Sequence, residues 1–236
     1  MSQARKSRCV WVLAASPVWS SPGRLSHLPP PDTVIAADGG STLAARLGLV
    51  PDLVIGDLDS SDPALLQQLE AQGVQFERFQ HETKVETDTE LAALAALARR
   101  PDTIIVLGAV GGRLDHSLAN LLLLTHPQLS DRDVRVVDGR QTALLAKPGR
   151  WNELPASLGD TVSLLPVGED AGGVSTQDLL YPLGRETLLD GRGRGVSNEV
   201  TGPRPSVFYE SGLLMVIIVR SGRSTEESNG DSSEPG

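Results

Sequence analysis

The chain has 236 residues, a formal net charge of −9 at pH 7 and a hydrophobic fraction of 39%, with three Trp, three Phe and two Tyr. This length can bury one large core or two modest ones, whereas the acidic balance provides no overall basic field for nucleic acid or anionic lipid and leaves only a local phosphate site. The single Cys excludes an internal disulfide and favours a reducing cytoplasm, and no apolar run approaches the ~20 residues that span a membrane.

The N-terminal region combines three basic residues, Arg5, Lys6 and Arg8, with an apolar stretch over residues 9–15. This order of charge and apolarity resembles a signal peptide. A short buried strand followed by a loop at Ser16-Pro17 is the better interpretation. We interpret the stretch as the first strand of the fold.

Short apolar or β-branched segments alternate with helical patterns over the first part of the chain. Buried strands are predicted at residues 9–15, 33–37, 53–55, 103–107 and 134–137, and helices at residues 41–47, 63–72, 87–100 and 115–125. Because strands and helices alternate in this way, residues 1–140 are predicted to form an α/β domain with a parallel sheet.

The character of the sequence changes after about residue 140. Short apolar runs at residues 142–146, 161–166 and 213–219 are separated by Gly and Pro, with no long helical pattern. These runs predict a small all-β domain over residues 141–220. Residues 221–236 are mostly Ser, Gly and acidic residues, which predicts a disordered acidic tail.

Two carboxylates, Asp57 and Asp59, follow the predicted strand at residues 53–55. In an extended segment residues two apart point the same way, so both carboxylates would face one side and Leu58 the other. Carboxylate oxygens of this kind bind Mg²⁺ together with substrate phosphates. Turn or cap residues at a strand end are the alternative interpretation.

Three further polar turns follow or precede predicted elements at the same edge of the sheet. Asp38-Gly39-Gly40 follows a strand and opens a helix, where backbone N–H groups bind phosphate. Thr87-Asp88 begins the Ala-rich helix, and either residue also suits a helix N-cap. Residues 108–113 form a Gly-rich turn in which Arg113 offers a forked phosphate donor. Because carboxylates gathered at one edge repel each other, this cluster predicts a bound cation.

Five motifs occur in the order seen in thiamine pyrophosphokinases. They are Asp38-Gly39-Gly40, PDLVIGDLDS at residues 51–60, TDTELA at residues 87–92, GGRLDH at residues 111–116 with Asn120, and Gly195-Val196-Ser197-Asn198-Glu199. The sequence resembles that family over about residues 8–220. The resemblance implies an N-terminal Rossmann-like parallel-sheet domain, a C-terminal β-sandwich that holds thiamine, and a homodimer with the active site between subunits. It also implies transfer of the terminal two phosphates of ATP to the hydroxyl of thiamine, giving thiamine diphosphate and AMP (EC 2.7.6.2).

The resemblance and the residue chemistry together predict the site residues. Asp57, Asp59 and Asp88 are predicted to hold Mg²⁺ and to be catalytic, with Asp115 as a supporting carboxylate. The residues predicted to bind ATP are Asp38, Gly39, Gly40, Lys84, Thr87, Gly111, Gly112 and Arg113. Ser197 and Asn198 are predicted to hydrogen-bond the aminopyrimidine of thiamine, the alternative being that they serve only the turn geometry of a loop. We interpret His116 as a structural residue.

The sequence departs from the family pattern at one position. The family usually has Lys-Asp before the Thr-Asp pair, whereas this chain has Lys84-Val85-Glu86 there. The carboxylate is therefore missing at Val85, and Glu86 would point elsewhere if the segment is extended. A non-catalytic nucleotide-binding homologue is one alternative function, for which Val85 is the only hint. A 6-hydroxymethyl-dihydropterin pyrophosphokinase is another, because such an enzyme shares the Asp-rich phosphate machinery.

Overall fold

The computed structural model describes residues 7–16, 25–59, 61–79 and 85–221. The predicted acidic tail beyond Ser221, as well as Lys84, lies outside the described residues. None of the helices within the described ranges is long and apolar enough to cross a membrane.

The first part of the chain alternates strands and helices as its sequence predicts. Its strands are β1 (Cys9–Leu13), β2 (Thr33–Ala37), β3 (Leu53–Gly56), β4 (Gln75–Arg78), β5 (Thr103–Leu107) and β6 (Asp133–Asp138). Its helices are α1 (Gly40–Arg46), α2 (Pro63–Ala71), α3 (Asp88–Leu97) and α4 (Leu114–Leu122), the last continued by a 3₁₀ turn at Leu123–Thr125. The six strands pair in parallel in the order β6-β5-β1-β2-β3-β4.

The second part of the chain is all β. Its strands are β7 (Gln141–Leu145), β8 (Asn152–Glu153), β9 (Thr161–Pro166), β10 (Ala171–Gln177), β11 (Glu186–Leu188), β12 (Asn198–Glu199), β13 (Ser206–Phe208) and β14 (Leu214–Val219). Strands β7, β14, β9 and β12 pair antiparallel, while β11, β10, β13 and β8 form a separate four-stranded sheet. A buried cluster around Tyr209 joins the two sheets, and the Tyr209 hydroxyl donates to the Ala146 carbonyl at 2.9 Å. The predicted fold class, α/β followed by a β-sandwich, is confirmed.

One sheet runs through both parts of the chain. Strand β6 turns directly into β7, which pairs with it from Arg135–Leu144 to Asp138–Gln141. The parallel strands and four antiparallel strands therefore form a single ten-stranded sheet. The proposed division near residue 140 thus falls at a tight turn within a continuous sheet, and the domain boundary itself stays a prediction.

The apolar stretch after the basic N-terminal residues is a central strand, as interpreted from the sequence. Strand β1 lies between β2 and β5, and all five of its residues are buried. Parallel strands covered on both faces need such continuous apolar sequences. Cys9 at the start of this strand is 3% exposed, and burial raises the pKa of its thiol to about 11.

We expect Cys9 to be protected from alkylation in the native protein. The thiolate is the reacting species, and the raised pKa alone lowers its fraction at pH 8 by about 100-fold. Iodoacetamide labelling followed by mass spectrometry should therefore be at least that much slower in buffer than in 6 M guanidinium chloride. Equal labelling rates in the two conditions would contradict the burial of this thiol.

Candidate active site

A cleft of about 800 Å³ opens where β1, β2, β3 and β5 end. Ligands of open α/β sheets bind at this edge, beyond the carboxyl ends of the strands. The predicted site residues that line the cleft are Asp38, Asp57, Asp59, Thr87, Asp88, Gly111, Gly112 and Arg113. Gly39, Gly40, Asp115, Ser197 and Asn198 do not line it. Four residues that were not predicted as site residues also line the cleft: Ser16, Glu86, Thr89 and Asn120. His116, interpreted as structural, lines the cleft too and is exposed.

Three carboxylates form the most acidic part of the cleft. Asp38, Asp57 and Asp59 each offer an oxygen, and these oxygens lie within 4.8 Å of one another. Asp88 is close by, because a Cβ on Gly56 would stand 3.1 Å from Asp88 Oδ1 and 3.0 Å from Asp38 Cβ. A cluster of hard carboxylate oxygens is the ligand type that Mg²⁺ selects. The residues present therefore fit a divalent cation, with Asp38 added to the predicted set.

The backbone after β3 differs from the predicted extended segment but still brings Asp57 and Asp59 together. Leu58 has a left-handed φ of 63°, and its side chain is buried in a cluster with Val54 and Leu69. A left-handed conformation is costly for a residue with a Cβ and is maintained where packing requires it. Anchoring Leu58 in the core leaves the carboxylates on either side of it facing the cleft.

Asp38 is held in place by contacts that the sequence did not reveal. It is 8% exposed and has a φ of 44°, and its N–H donates to the Ile55 carbonyl at 2.7 Å. The Ser61 hydroxyl donates to Asp38 Oδ1 at 3.1 Å. Strained non-glycine residues of this kind concentrate at functional sites. Ser61 is thus a positioning residue whose only sequence signal is its place two residues after Asp59.

Gly39 and Gly40 pack closely against the end of β1 and do not line the cleft. A Cβ on Gly40 would lie 1.9 Å from the Leu13 carbonyl oxygen, and a Cβ on Gly39 would lie 2.9 Å from Ala15 Cβ. The start of α1 therefore packs directly on the end of β1. Both residues were predicted to bind ATP, and that role stays a prediction without a lining contact to support it.

At the start of α3, Thr87 is the helix N-cap and Asp88 is the first helical residue. Thr87 Oγ1 accepts a hydrogen bond from Glu90 N at 3.2 Å and is the N-cap, so Asp88 is not needed for that role. Val85 is 96% exposed and lines the cleft with Glu86. The condition under which Glu86 would point elsewhere is not met, because residues 85–87 do not form a strand. The Glu86 carboxylate accepts a hydrogen bond from Val85 N at 3.2 Å.

The Gly-rich turn after β5 is fixed by two buried polar residues of α4. Ser117 Oγ accepts from Gly111 N at 2.9 Å and donates to the Arg113 carbonyl at 2.9 Å. Asn120 Nδ2 donates to the Ala109 carbonyl at 2.8 Å. Positive φ at Gly108, Gly111 and Gly112 brings bare backbone to the cleft wall, where N–H groups can approach an anion closely.

Arg113 and Asp115 form a forked ion pair at the cleft rim. Arg113 Nη2 lies 2.6 Å from Asp115 Oδ2, and Arg113 Nε lies 3.1 Å from Asp115 Oδ1. The hydrogen bond from Arg113 lowers the pKa of Asp115 to about 2, so this carboxylate is ionised at all ordinary pH values. Arg113 lines the cleft and Asp115 stands behind it, oriented to hold the guanidinium.

The residues predicted to bind thiamine lie in the all-β part of the chain. Asn198 is buried, its Oδ1 accepts from Tyr181 N at 2.9 Å, and its Nδ2 donates to the Tyr181 carbonyl at 2.7 Å. Ser197 is exposed, has a left-handed φ of 59°, and its N–H donates to Ser163 Oγ at 3.1 Å. Asn198 therefore fixes the backbone at Tyr181, while the Ser197 side chain faces solvent.

The excess of negative charge in the cleft favours the binding of a cation. Among the described residues, five carboxylates line it, those of Asp38, Asp57, Asp59, Glu86 and Asp88, against one guanidinium, that of Arg113. Like charges at this spacing repel unless a proton or a metal ion neutralises them. An acidic, glycine-walled cleft at the carboxyl edge of a parallel sheet is typical of an α/β phosphotransferase.

Comparison with known proteins agrees with this class. The family profile described as thiamin pyrophosphokinase, catalytic domain, matches residues 28–137, and that described as thiamin pyrophosphokinase, vitamin B1 binding domain, matches residues 152–214. The chain belongs to the thiamin pyrophosphokinase family. Members of this family form thiamine diphosphate, a transferase reaction.

Individual relatives share both sequence and fold. The chain is 28% identical over 183 residues to thiamine pyrophosphokinase of Bacillus subtilis, covering 78% of this chain and 85% of the relative. The crystal structure of a Bacillus subtilis thiamine pyrophosphokinase superposes with a TM-score of 0.80 at 24% identity, covering 90% of this chain and 99% of that one. The Candida albicans enzyme superposes with a TM-score of 0.73 at 18% identity, covering 92% of this chain and 90% of its own.

Proposed function

We propose that the acidic cleft binds ATP with Mg²⁺ and transfers its terminal diphosphoryl group to the hydroxyl of thiamine. The observation that carries this proposal is the convergence of Asp38, Asp57, Asp59 and Asp88 opposite the Gly-rich turn in one cleft. Family membership supplies the reaction. The cleft chemistry supplies the ligand sets: carboxylates for the cation, and backbone N–H groups with Arg113 for the phosphates.

The chain's own residues align and neutralise the reacting groups. Bound Mg²⁺ would offset the negative charge of the phosphates and of the carboxylates around it. The thiamine oxygen forms a bond to the β-phosphorus while the bond from that phosphorus to the α-phosphate oxygen breaks, and the hydroxyl proton leaves to solvent. Such a transfer needs positioning more than covalent help. Arg113 can exchange its Asp115 partner for a phosphate oxygen, since both form the same forked pairing.

An assay for AMP tests the reaction and its alternatives. The purified chain is incubated with ATP and Mg²⁺, and with either thiamine or 6-hydroxymethyl-dihydropterin. We expect AMP only with thiamine. AMP formed only with the pterin would reject the thiamine assignment, and ATP binding without AMP from either acceptor would indicate a non-catalytic homologue.

We also propose that Ser197 and Asn198 belong to the thiamine-binding region. They fall within the part of the chain that matches the vitamin B1 binding profile. Asn198 would act through the loop that it ties at Tyr181, while the exposed Ser197 side chain is available to a ligand. Neither residue lines the acidic cleft of the same chain. This separation supports a homodimer in which the active site lies between subunits. The single Cys supports a cytoplasmic location.

The exposed face of α4 supports this homodimer. Leu114, Leu118 and Leu122 are 82%, 56% and 40% exposed and recur at every fourth residue, so they form one apolar stripe. The stripe begins beside Arg113 at the cleft rim. A second copy of the chain would cover this stripe and bring its own β-sandwich towards the acidic cleft.

Leu118→Glu is expected to convert the dimer into monomer. In the dimer, a charge in the middle of the covered apolar stripe would be desolvated without a partner. The molar mass from light scattering during size-exclusion chromatography should therefore halve, and turnover should fall. Leu158→Glu changes another exposed leucine, in the all-β part and 71% exposed, and serves as the control. An unchanged dimer in Leu118→Glu would place the interface elsewhere.

Val85→Asp is expected to lower the Mg²⁺ concentration needed for half-maximal turnover by about threefold. The side chain lines the cleft and is almost fully exposed, so a new carboxylate adds a modest attraction for the cation, about 0.5–1 kcal/mol, without a folding cost. Val50→Asp, at an exposed position outside the cleft, is the matched control. Lower turnover with the same Mg²⁺ requirement would instead mean that the site is arranged around Val85.

A further inference from the structure

A second hollow, of about 420 Å³, lies on the edge of the sheet opposite the acidic cleft. Its polar lining consists of Arg8, Arg100, Asp102 and Arg132. Arg8, Asp102 and Arg132 each immediately precede one of three neighbouring parallel strands, β1, β5 and β6. The hollow is therefore at the amino ends of the strands, whereas the acidic cleft is at their carboxyl ends. Three guanidinium groups against one carboxylate make it basic in a chain of net charge −9.

The Arg8 side chain contains a buried hydrogen-bond donor that has no acceptor among the described residues. The backbone of Arg8 is fixed, because Arg8 N donates to Asp102 Oδ2 at 2.8 Å and the Arg8 carbonyl accepts from Asp102 N at 2.8 Å. Its side-chain Nε is buried and has no hydrogen-bond partner among the described residues. Buried donors are almost always paired, so an isolated one indicates a missing water or ion.

Arg100 stands where the backbone favours glycine. Its φ is 52°, in the left-handed region, just after the end of α3. Glycine is the usual residue at such a position because any side chain adds strain. The charge of Arg100 complements the C-terminal end of the helix dipole. Within the described ranges, none of the three guanidinium groups forms an ion pair.

We propose that this basic hollow binds a small phosphate-bearing anion, at a site separate from the acidic cleft. The forked donors of arginine match phosphate oxygens in pairs, and arginine is preferred over lysine for such binding. An anion there would offset the repulsion between the three guanidinium groups.

The test is the thermal stability of the full chain with inorganic phosphate, in EDTA and at ionic strength matched with sodium chloride. Without divalent cations the carboxylates of the acidic cleft repel phosphate, so the response does not depend on the proposed transfer reaction. We expect phosphate at tenfold its dissociation constant to raise Tm by about 3 °C above chloride. A parallel arm with AMP separates a phosphate-monoester site from one that takes free phosphate alone, and a response to neither anion would overturn the proposal.

Substitutions of the three arginines test whether phosphate binds in the basic hollow. Arg8→Gln, Arg132→Gln and Arg100→Gly are each expected to remove most of the phosphate-dependent rise in Tm. Arg100→Gly also relieves the left-handed strain, so it remains informative where the Arg8 variant fails to fold. Arg46→Gln on the exposed face of α1 and Arg113→Gln at the acidic cleft should keep the rise. A rise that persists in all three hollow variants, or that is lost in Arg113→Gln, would overturn the proposal.

Discussion

Asp57→Asn is expected to lower turnover by 10²-fold or more while leaving the fold intact. The carboxylate shares a cluster with Asp38 and Asp59 in which all three oxygens lie within 4.8 Å, and losing one preorganised electrostatic contact in an active site typically has an effect of this size. The amide keeps the shape of the side chain but not its charge. Removing one of several repelling carboxylates should leave Tm unchanged or slightly raised.

The measurement is steady-state AMP formation across a Mg²⁺ titration, with thermal unfolding of the same samples. Asp59→Asn should behave in the same way as Asp57→Asn. Asp190→Asn changes an exposed carboxylate of the all-β part and should retain full turnover. Unchanged turnover of Asp57→Asn at saturating Mg²⁺ would remove this residue from the metal site.

Gly40→Ala is expected to destabilise the protein by about 3 kcal/mol, which is in the range found for overpacking. The added Cβ would stand 1.9 Å from the backbone oxygen of Leu13, a distance that only movement of α1 away from β1 can relieve. For a chain of this size, Tm should fall by about 6–12 °C. Thermal unfolding followed by circular dichroism gives the shift.

Gly184→Ala provides the matched control. Gly184 is exposed, no atom lies within 4 Å of its added Cβ, and its φ is not in the left-handed region. This substitution should change the free energy of unfolding by less than about 0.5 kcal/mol. Equal Tm values for the two variants would mean that α1 and β1 do not approach as closely as the structure has them.

The apolar periodicity of the chain was sufficient to predict its central elements. Residues 33–37, 103–107 and 161–166 are strands with the predicted bounds, because continuous β-branched sequence between turn residues is typical of buried strands. Strand β4 was missed because three of its four residues are polar and exposed at the sheet edge, with only Phe76 apolar. Strand β10 was missed because it contains Gly172 and Gly173, residues that weaken a strand pattern.

The ordered motifs were likewise sufficient to predict most of the acidic cleft. Asp38, Asp57 and Asp88 each follow a strand or start a helix, so strand order alone brings them to one edge of the sheet. Ser61, Ser117 and Asn120 could not be assigned positioning roles from the sequence. A hydrogen bond from a single side chain to a turn or to another segment leaves no periodic signal in the sequence.

The sequence by itself determined the α/β order, the change to all-β structure near residue 140, the acidic and glycine motifs and the family. Local patterns and motif order are properties of the chain alone. Only the tertiary structure showed that Leu58 takes a left-handed conformation, that Gly40 serves packing, and that one sheet crosses residue 140. It also gathered Arg8, Arg100 and Arg132 around a second hollow. Each of these features depends on which distant segments touch, and that is decided by packing of the whole chain.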